Sequence, residues 1–132
     1  MQRYRRIIVA SDYSEPSMAA IGVAGQWATQ LEADLELLHA FLPARYARDI
    51  MPSEPDIGTK INDAALRELE KLRAKCCPKN EKVTLTAVEG EHPALTICER
   101  AAEASADLIV IGTHGRTGLA RMLIGSVAES VA

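Results

Sequence analysis

Three glycines and a serine near the end of the chain have the types and spacing needed to bind a ligand. Gly112, Gly115 and Gly125 form the pattern G-x2-G-x9-G, and Ser126 follows the last of them directly. Glycine lets a backbone approach a ligand closely, and free N–H groups at the start of a helix point at phosphate oxygens. No acidic residue occurs between positions 108 and 128, whereas arginine and histidine do. The stretch therefore predicts a loop that binds an anion.

This loop lacks the residues of two other phosphate-binding patterns. The lysine of GxxxxGK[ST] is missing, and the glycines do not follow GxGxxG. A second interpretation is that the glycines mark only the end of a strand, a flexible loop and the start of a helix. From the glycines alone, both interpretations stay open.

Apolar patterning predicts the elements that must position this loop. Apolar runs indicate strands at residues 5–10, 35–40, 82–88 and 108–111. Helical spacing indicates helices that begin after Ser14, near Gly58, at Pro93 and near Ser126. Strands that alternate with helices imply an α/β fold, with an open parallel sheet and helices on both faces. At 132 residues, the chain is expected to form one domain, residues 1–132.

Each of the first three helices has one apolar stripe that is expected to face the sheet. The predicted stripes are Ala20, Ala24, Trp27, Ala28 and Leu31 in the first helix, Ile61, Ala65, Leu69, Leu72 and Cys76 in the second, and Ala94, Ile97, Cys98, Ala101 and Ala102 in the third.

Composition and charge argue against several classes of protein. The net charge of −3 makes nucleic acid an unexpected partner, and no apolar run reaches the roughly 18 residues of a membrane span. The apolar segment near the N-terminus is too short for a signal peptide, so we expect a cytoplasmic protein. Three cysteines without CxxC or Cys/His spacing fit a reducing compartment and no zinc site. The adjacent Cys76 and Cys77 are interpreted as a helix end, with a redox pair as the alternative.

Residues 112–131, GTHGRTGLARMLIGSVAESV, closely resemble the nucleotide-binding signature of the universal stress protein family, in its ATP-binding branch. The similarity extends to Asp12-x-Ser14 after the first strand and to the LLHA strand at residues 37–40. The resemblance implies strand order 3-2-1-4-5, with a switch point between strands 1 and 4. Ligands in open α/β sheets bind at the carboxyl ends of the strands beside such a point. Ser11-Asp12 and the glycine loop would then meet in one crevice.

The resemblance also implies which residues bind the nucleotide. Backbone N–H groups of Gly125, Ser126 and Val127 would hold phosphates, with help from the Ser126 hydroxyl, while Gly112 and Gly115 would lie against ribose and phosphate. The full set of implied contacts is Ser11, Asp12, Ala40, Gly112, Thr113, Gly115, Arg116, Gly125, Ser126 and Val127.

Several of these residues have a second interpretation. Asp12 suits a ribose hydroxyl, the adenine edge or a metal ion, and its alternative is an Asx-turn before the first helix. Arg116 adds charge to the site or is solvated. Ala40 would leave room for adenine. His39 and His114 are interpreted as packing or loop residues, and no catalytic or metal-ligating residue is assigned.

The function implied by the resemblance is binding of ATP, or of another adenine nucleotide, with or without Mg²⁺ or Mn²⁺. We expect a regulatory module of the stress response that reports the nucleotide to a partner or through its dimer. A slow ATPase or phosphotransferase is one alternative, although the loop lacks the P-loop lysine and an acid to orient water. A nucleotide-free interaction scaffold is another.

Two further expectations concern segments beside the site. Residues 41–57 contain three prolines without a sustained period, which predicts a loop able to act as a lid. Family members usually continue into a fifth strand that commonly pairs across a dimer, and no run here matches it. We therefore expect strand order 3-2-1-4 with the fifth strand absent and the outer edge of strand 4 unpaired. The resemblance implies a homodimer for the complete protein.

Overall fold

The computed structural model describes residues 4–43, 56–80 and 82–112, together with the backbone of residues 120–124. The strands are β1 (Arg6–Ala10), β2 (Asp34–Phe41), β3 (Val83–Glu89), β4 (Leu108–Gly112) and β5 (Ala120–Ile124). The helices are α1 (Glu15–Leu31), α2 (Ile57–Cys76) and α3 (Pro93–Glu103). The predicted alternation of strands and helices is confirmed as far as β4. The helix predicted near Ser126 and most of the proposed lid lie outside the described residues.

The five strands form one sheet in the order β3-β2-β1-β4-β5. β1 pairs in parallel with both β2 and β4, and β2 pairs in parallel with β3. A strand between two parallel neighbours and under helices must be apolar on both faces, which is what residues 7–10 provide. The predicted parallel order 3-2-1-4 is therefore confirmed.

The outer edge of β4 is paired, and the expectation that it would be unpaired was wrong. β5 runs antiparallel to β4, with Leu108 opposite Ile124 and Gly112 opposite Ala120. Only residues 113–119 separate the two strands, whereas a parallel partner needs a crossover of roughly a dozen residues or more. A run this close in sequence can pair with β4 only by turning back. The sequence interpretation had left residues 120–124 in the glycine loop.

Helices cover both faces of the sheet. α1 and α2 share one face, where the core includes Ile7, Val9, Leu37, Leu69 and Val110. α3 covers the other face, where the core includes Ile8, Leu38, Ile109 and Ala101. Neighbouring residues of a strand thus belong to different cores, as the alternation of side chains in a strand requires.

Of the fifteen residues in the predicted helix stripes, seven are buried, five are half-buried and three are exposed, and the exposed ones lie at or near helix ends. Their buried members are Ala20, Ala24, Ala28, Ala65, Leu69, Leu72 and Ala101. Leu31 was predicted to face the core but is 44% exposed, because it is the last residue of α1. Ala94 and Ala102 of α3 are also exposed, and Thr96 is buried instead.

A buried ion cluster joins α3 to the sheet. Glu36 of β2 has no exposed surface, and its carboxylate accepts hydrogen bonds from Arg100 of α3 at 2.8 and 3.0 Å. Arg6 of β1 donates a third bond to the same carboxylate at 3.1 Å. Burial raises the pKa of Glu36, but the hydrogen bonds from the two arginines outweigh it, so the pKa lies below its ordinary value. The cluster therefore ties two strands and one helix together through charge.

Candidate functional site

The carboxyl ends of β1 and β4 lie side by side. The two strands are parallel neighbours, and their last paired residues are Ala10 and Ile111. The next residues along each strand are Ser11 and Gly112, so the turn after β1 and the start of the glycine loop leave the sheet together. The strand order changes direction at this point, because β2 follows β1 on one side and β4 lies on the other. This is the switch point at which ligands bind in open α/β sheets.

Ser11 is buried, and hydrogen bonds hold it from several sides. Its N–H donates to the Leu38 carbonyl at 2.8 Å, and its Oγ lies 2.9 Å from Oγ of Ser17 in α1. Ser17 Oγ donates its own proton to the Ser14 carbonyl at 2.8 Å, so Ser11 must be the donor of the hydroxyl pair. Ser11 Oγ also accepts from the N–H of Tyr13 at 3.0 Å. Both protons of Ser11 are therefore used within the protein.

Asp12 is exposed and begins an Asx-turn. Its Oδ1 accepts from the N–H of Ser14 at 3.0 Å, which is the alternative interpretation of this residue. The turn does not exclude a ligand, because a carboxylate has two oxygens with about four acceptor positions. Because the N–H and the hydroxyl hydrogen of Ser11 are both donated within the protein, Asp12 is better placed than Ser11 to recognise a hydroxyl or an amino group of a ligand. Its contact with a nucleotide stays a prediction.

α1 starts at the same edge of the sheet. Ser14 is its N-cap, and the Ser14 hydroxyl accepts from the N–H of Ser17 at 3.3 Å. Glu15 in the first turn and Pro16 at the start of the helix fit the rules for helix N-termini. The sequence therefore fixes locally where the turn after β1 ends and where α1 begins.

Gly112 lies against the first turn of α1. A Cβ at this position would overlap the Pro16 carbonyl and lie 2.5 Å from Cα of Ser17. Because backbone atoms of α1 fill this space, only glycine lets the end of β4 come so close to the helix. The structure thus explains the glycine at position 112 by its packing against α1, which the sequence did not reveal. The predicted ligand contact of Gly112 is a separate role and stays a prediction.

Ala40 lies at the carboxyl end of β2, two residues after Leu38, and is half-buried. It pairs with Val88 of β3. This position agrees with the expected place of Ala40 near the crevice, although its contact with adenine is not tested. The remaining predicted contacts lie outside the described residues, and they are Thr113, Gly115, Arg116, Gly125, Ser126 and Val127. His114 lies outside them too.

His39 was interpreted as a packing or loop residue, but it contacts the turn after β1. Its Nδ1 lies 2.7 Å from the carbonyl oxygen of Ser11. The ring of Tyr13 stacks on the imidazole, with centroids 4.3 Å apart and planes inclined by 29°. Phe41 follows along the strand at a centroid distance of 6.4 Å from His39. In the sequence, a polar residue near the end of an apolar strand indicated that His39 has a polar partner, but it did not show that the partner is Ser11.

Tyr13 has an unusual backbone conformation. Its φ angle is +68°, in the left-handed region that large side chains rarely adopt. Burial raises the pKa of the Tyr13 phenol, and the nearby negative charge of Glu68 in α2 raises it further. Tyr13 is therefore neutral at physiological pH, and its ring is held on one side by the imidazole of His39.

A second concave region lies at the opposite end of α1. A groove of about 420 Å³ runs between the second half of α1 and the turn after α2, and Cys76 and Cys77 line it. The Asn80 amide donates to the Gly25 carbonyl at 3.1 Å and closes one side. Burial raises the pKa of both thiols, which disfavours the reactive thiolate. The redox interpretation of this pair gains no support.

Two negative findings apply to the described ranges. None of the helices there has a stretch long and apolar enough to cross a bilayer. The same residues contain no group of three or more His, Cys, Asp or Glu side chains that could hold a metal ion. The groups described at the crevice are hydroxyls, the Asp12 carboxylate, backbone amides and aromatic rings.

Comparison with known proteins identifies relatives along almost the whole chain. The sequence model of the universal stress protein family matches residues 3–132. Universal stress protein MJ0531 of Methanocaldococcus jannaschii is 31% identical over 131 residues, which cover 97% of this chain and 75% of that protein. Universal stress protein YxiE of Bacillus subtilis is 29% identical over 136 residues, which cover 97% of this chain and 91% of that protein.

Solved structures extend the similarity to the fold. The structure of MJ0577, a universal stress protein of the same archaeon, gives a TM-score of 0.67 at 26% identity and covers 98% of this chain and 89% of its own. A universal stress protein in complex with cAMP gives a TM-score of 0.59 at 26% identity, with 89% of this chain and 81% of its own covered. In that protein the bound ligand is an adenine nucleotide.

Proposed function

Because the chain belongs to the universal stress protein family, we propose that it binds an adenine nucleotide at the carboxyl ends of β1 and β4. One observation carries the proposal: the turn at Ser11-Asp12 and the start of the glycine loop leave the sheet side by side at the switch point. The cAMP complex of a similar protein supports this class of ligand.

The proposed contacts follow the chemistry of the nucleotide. Asp12 accepts a hydrogen bond from a ribose hydroxyl or from the adenine amino group, and Ala40 leaves room for the base. From the sequence, phosphates would lie against the backbone amides of Gly125, Ser126 and Val127, where an acid-free stretch avoids repulsion. Ile124, the residue before Gly125, pairs with Leu108 at the amino end of β4, so these amides reach the crevice only if β5 separates from β4 when the nucleotide binds. Thr113, Gly115 and Arg116 complete the phosphate side, next to Ser11 and Gly112. Mg²⁺ or Mn²⁺ would accompany ATP through its phosphate oxygens.

We further propose ATP as the physiological ligand and a regulatory role in the stress response. The protein would bind and report the nucleotide rather than turn it over quickly, because the sequence offers no P-loop lysine and no acid within the loop. A cytoplasmic homodimer without nucleic acid as a partner fits this role. A cyclic nucleotide is the second candidate ligand, and the cAMP-bound relative is the observation that favours it.

Gly125→Asp tests the proposal directly. The new carboxylate would lie beside the phosphates, so we expect calorimetry to detect no ATP binding by this variant. Gly22→Ala is the matched control, because its added Cβ would meet only the Cys76 carbonyl oxygen, at an ordinary 3.7 Å. Parallel titrations with ATP, ADP, AMP and cAMP decide between the ligands. Equal ATP affinity of Gly125→Asp and the wild type would contradict the proposed phosphate site.

A further inference from the structure

The bond between His39 and Ser11 fixes the state of the imidazole. A carbonyl oxygen can only accept, so the Nδ1 atom that lies 2.7 Å from it must carry a hydrogen. In a neutral histidine the other nitrogen, Nε2, is then without a proton. The distance is at the short end of the range for N–H···O bonds. The structure thus assigns His39 to the Nδ1–H tautomer whenever the ring is neutral.

This bond holds Ser11 from the side of β2. The strand pairing of β1 with β2 ends at Ala10 and Leu38, and the N–H of Ser11 still donates to the Leu38 carbonyl. The carbonyl of Ser11 points to the imidazole instead. Both backbone polar groups of Ser11 are therefore held by consecutive residues of one strand.

The same imidazole supports Tyr13. The two rings are in stacking contact, and the N–H of Tyr13 is bound by Ser11 Oγ. A left-handed conformation is unfavourable for a residue with a large side chain, so Tyr13 needs contacts that hold it there. His39 therefore supports both neighbours of Asp12: it donates a hydrogen bond to the Ser11 carbonyl and stacks on the Tyr13 ring.

We propose that His39 is a positioning residue for the nucleotide site. Through Nδ1–H it sets the backbone of Ser11 to Tyr13, and thereby the direction in which Asp12 meets the ligand. His39 itself does not contact the nucleotide in this proposal. The inference rests on the proposed nucleotide binding and assigns a residue that acts on the same site from β2.

Two substitutions separate the hydrogen bond from the ring. The side-chain nitrogen of asparagine is as many bonds from Cα as Nδ1, and that of glutamine corresponds to Nε2. His39→Asn and His39→Gln both lose the stack with Tyr13, but only His39→Asn keeps a donor at the position that binds Ser11. We expect His39→Gln to bind ATP about threefold to tenfold more weakly than His39→Asn, as for the loss of one neutral hydrogen bond.

His92→Gln is the matched control. His92 is exposed, and its side chain makes no cap hydrogen bond at the start of α3. We expect unchanged ATP affinity for this variant. Thermal unfolding of all three variants measures any general loss of stability. Equal affinity of His39→Asn and His39→Gln would overturn the proposal, whether both match the wild type or both are weak.

The tautomer provides a readout that does not need a nucleotide. A ¹H–¹⁵N correlation spectrum of the imidazoles, recorded well above the ordinary pKa range of histidine, should show His39 protonated at Nδ1. A proton at Nε2 would overturn the proposal. If the wild-type protein bound no nucleotide, the proposed function would fail and with it the effect on affinity. The spectrum would still show whether His39 holds Ser11.

Discussion

Single residues at the crevice are used for more than one purpose. Gly112 is part of the predicted ligand loop and also the residue that lets β4 pack on α1. Ser11 is part of the predicted contact set, yet its protons bind Leu38 and Ser17. Asp12 forms an Asx-turn and remains the polar side chain of the turn best suited to a ligand. The site and the packing of α1 are therefore inseparable at this scale.

Gly112→Ala tests the packing role of this glycine. Because its Cβ would meet the backbone of Pro16 and Ser17, neither of which can rotate away, we expect the free energy of unfolding to fall by about 1–3 kcal/mol. Urea denaturation measures the change. Gly22→Ala in the interior of α1 should have the opposite sign, with a gain of up to about 1 kcal/mol, because alanine favours a helix. A stable Gly112→Ala variant would show that β4 and α1 are not this close.

The His39 contact shows what the sequence could not supply at the residue scale. Ser14 as N-cap and Pro16 in the first turn were readable, because capping depends on neighbours along the chain. Ser11 and His39 are 28 positions apart, and their bond exists only because β1 and β2 are adjacent. The positive φ of Tyr13 was equally hidden, since a tyrosine after an aspartate does not indicate a left-handed turn.

At the scale of elements, charge joins α3 to the sheet. Two arginines from different elements bind the carboxylate of Glu36, which is fully buried in β2. An unpaired charge at this depth would be costly, so α3 and the sheet are expected to dock in one position. Periodicity could not predict this, because the hydrophobic pattern of LELLHA does not show which partners its glutamate binds.

Glu36→Gln measures how much this ion cluster contributes to the free energy of unfolding and how that contribution depends on pH. The substitution keeps the shape and removes the charge, so we expect a loss of about 1.5–3 kcal/mol in the free energy of unfolding at neutral pH. The pKa of Glu36 is lowered in the folded protein. Its stabilising effect is therefore complete above the unfolded value of about 4.3 and is lost as the pH falls through the folded pKa.

The difference between the wild type and Glu36→Gln should accordingly be constant near neutrality and shrink in acid. Urea denaturation of both proteins at neutral pH and at a pH of about 3 provides the comparison. A difference of the same size at both pH values would show that the charge of Glu36 does not stabilise the fold.

For the molecule as a whole, the parallel sheet was predictable from the sequence pattern and its strand order from the family resemblance, whereas its last strand was not predicted. Four strands and three helices had clear apolar patterns, and the alternation of strands and helices left little choice of architecture. Residues 120–124 form a short apolar run beside glycines, and periodicity cannot assign such a run to a strand. The presence of β5 changes β4 from an edge strand into an internal one.

Hydrogen exchange tests this arrangement. Amides of β4 at residues 109–111 should exchange as slowly as those of β1, because each strand has a neighbour on both sides. Amides of β3, which lies at the edge of the sheet, should exchange faster where they point outward. Fast exchange along β4 would show that β5 does not stay paired with it.

The hydrogen bonds that start at Tyr13 N–H and end at the Ser14 carbonyl run in one direction through two hydroxyls. Hydrogen bonds in such a series polarise one another, and each hydrogen in this chain is donated to one defined acceptor. The turn after β1 therefore has its shape before any ligand arrives. In kinetic terms, this half of the crevice adds no rearrangement step to association, so a slow phase of binding would have to come from elsewhere in the protein.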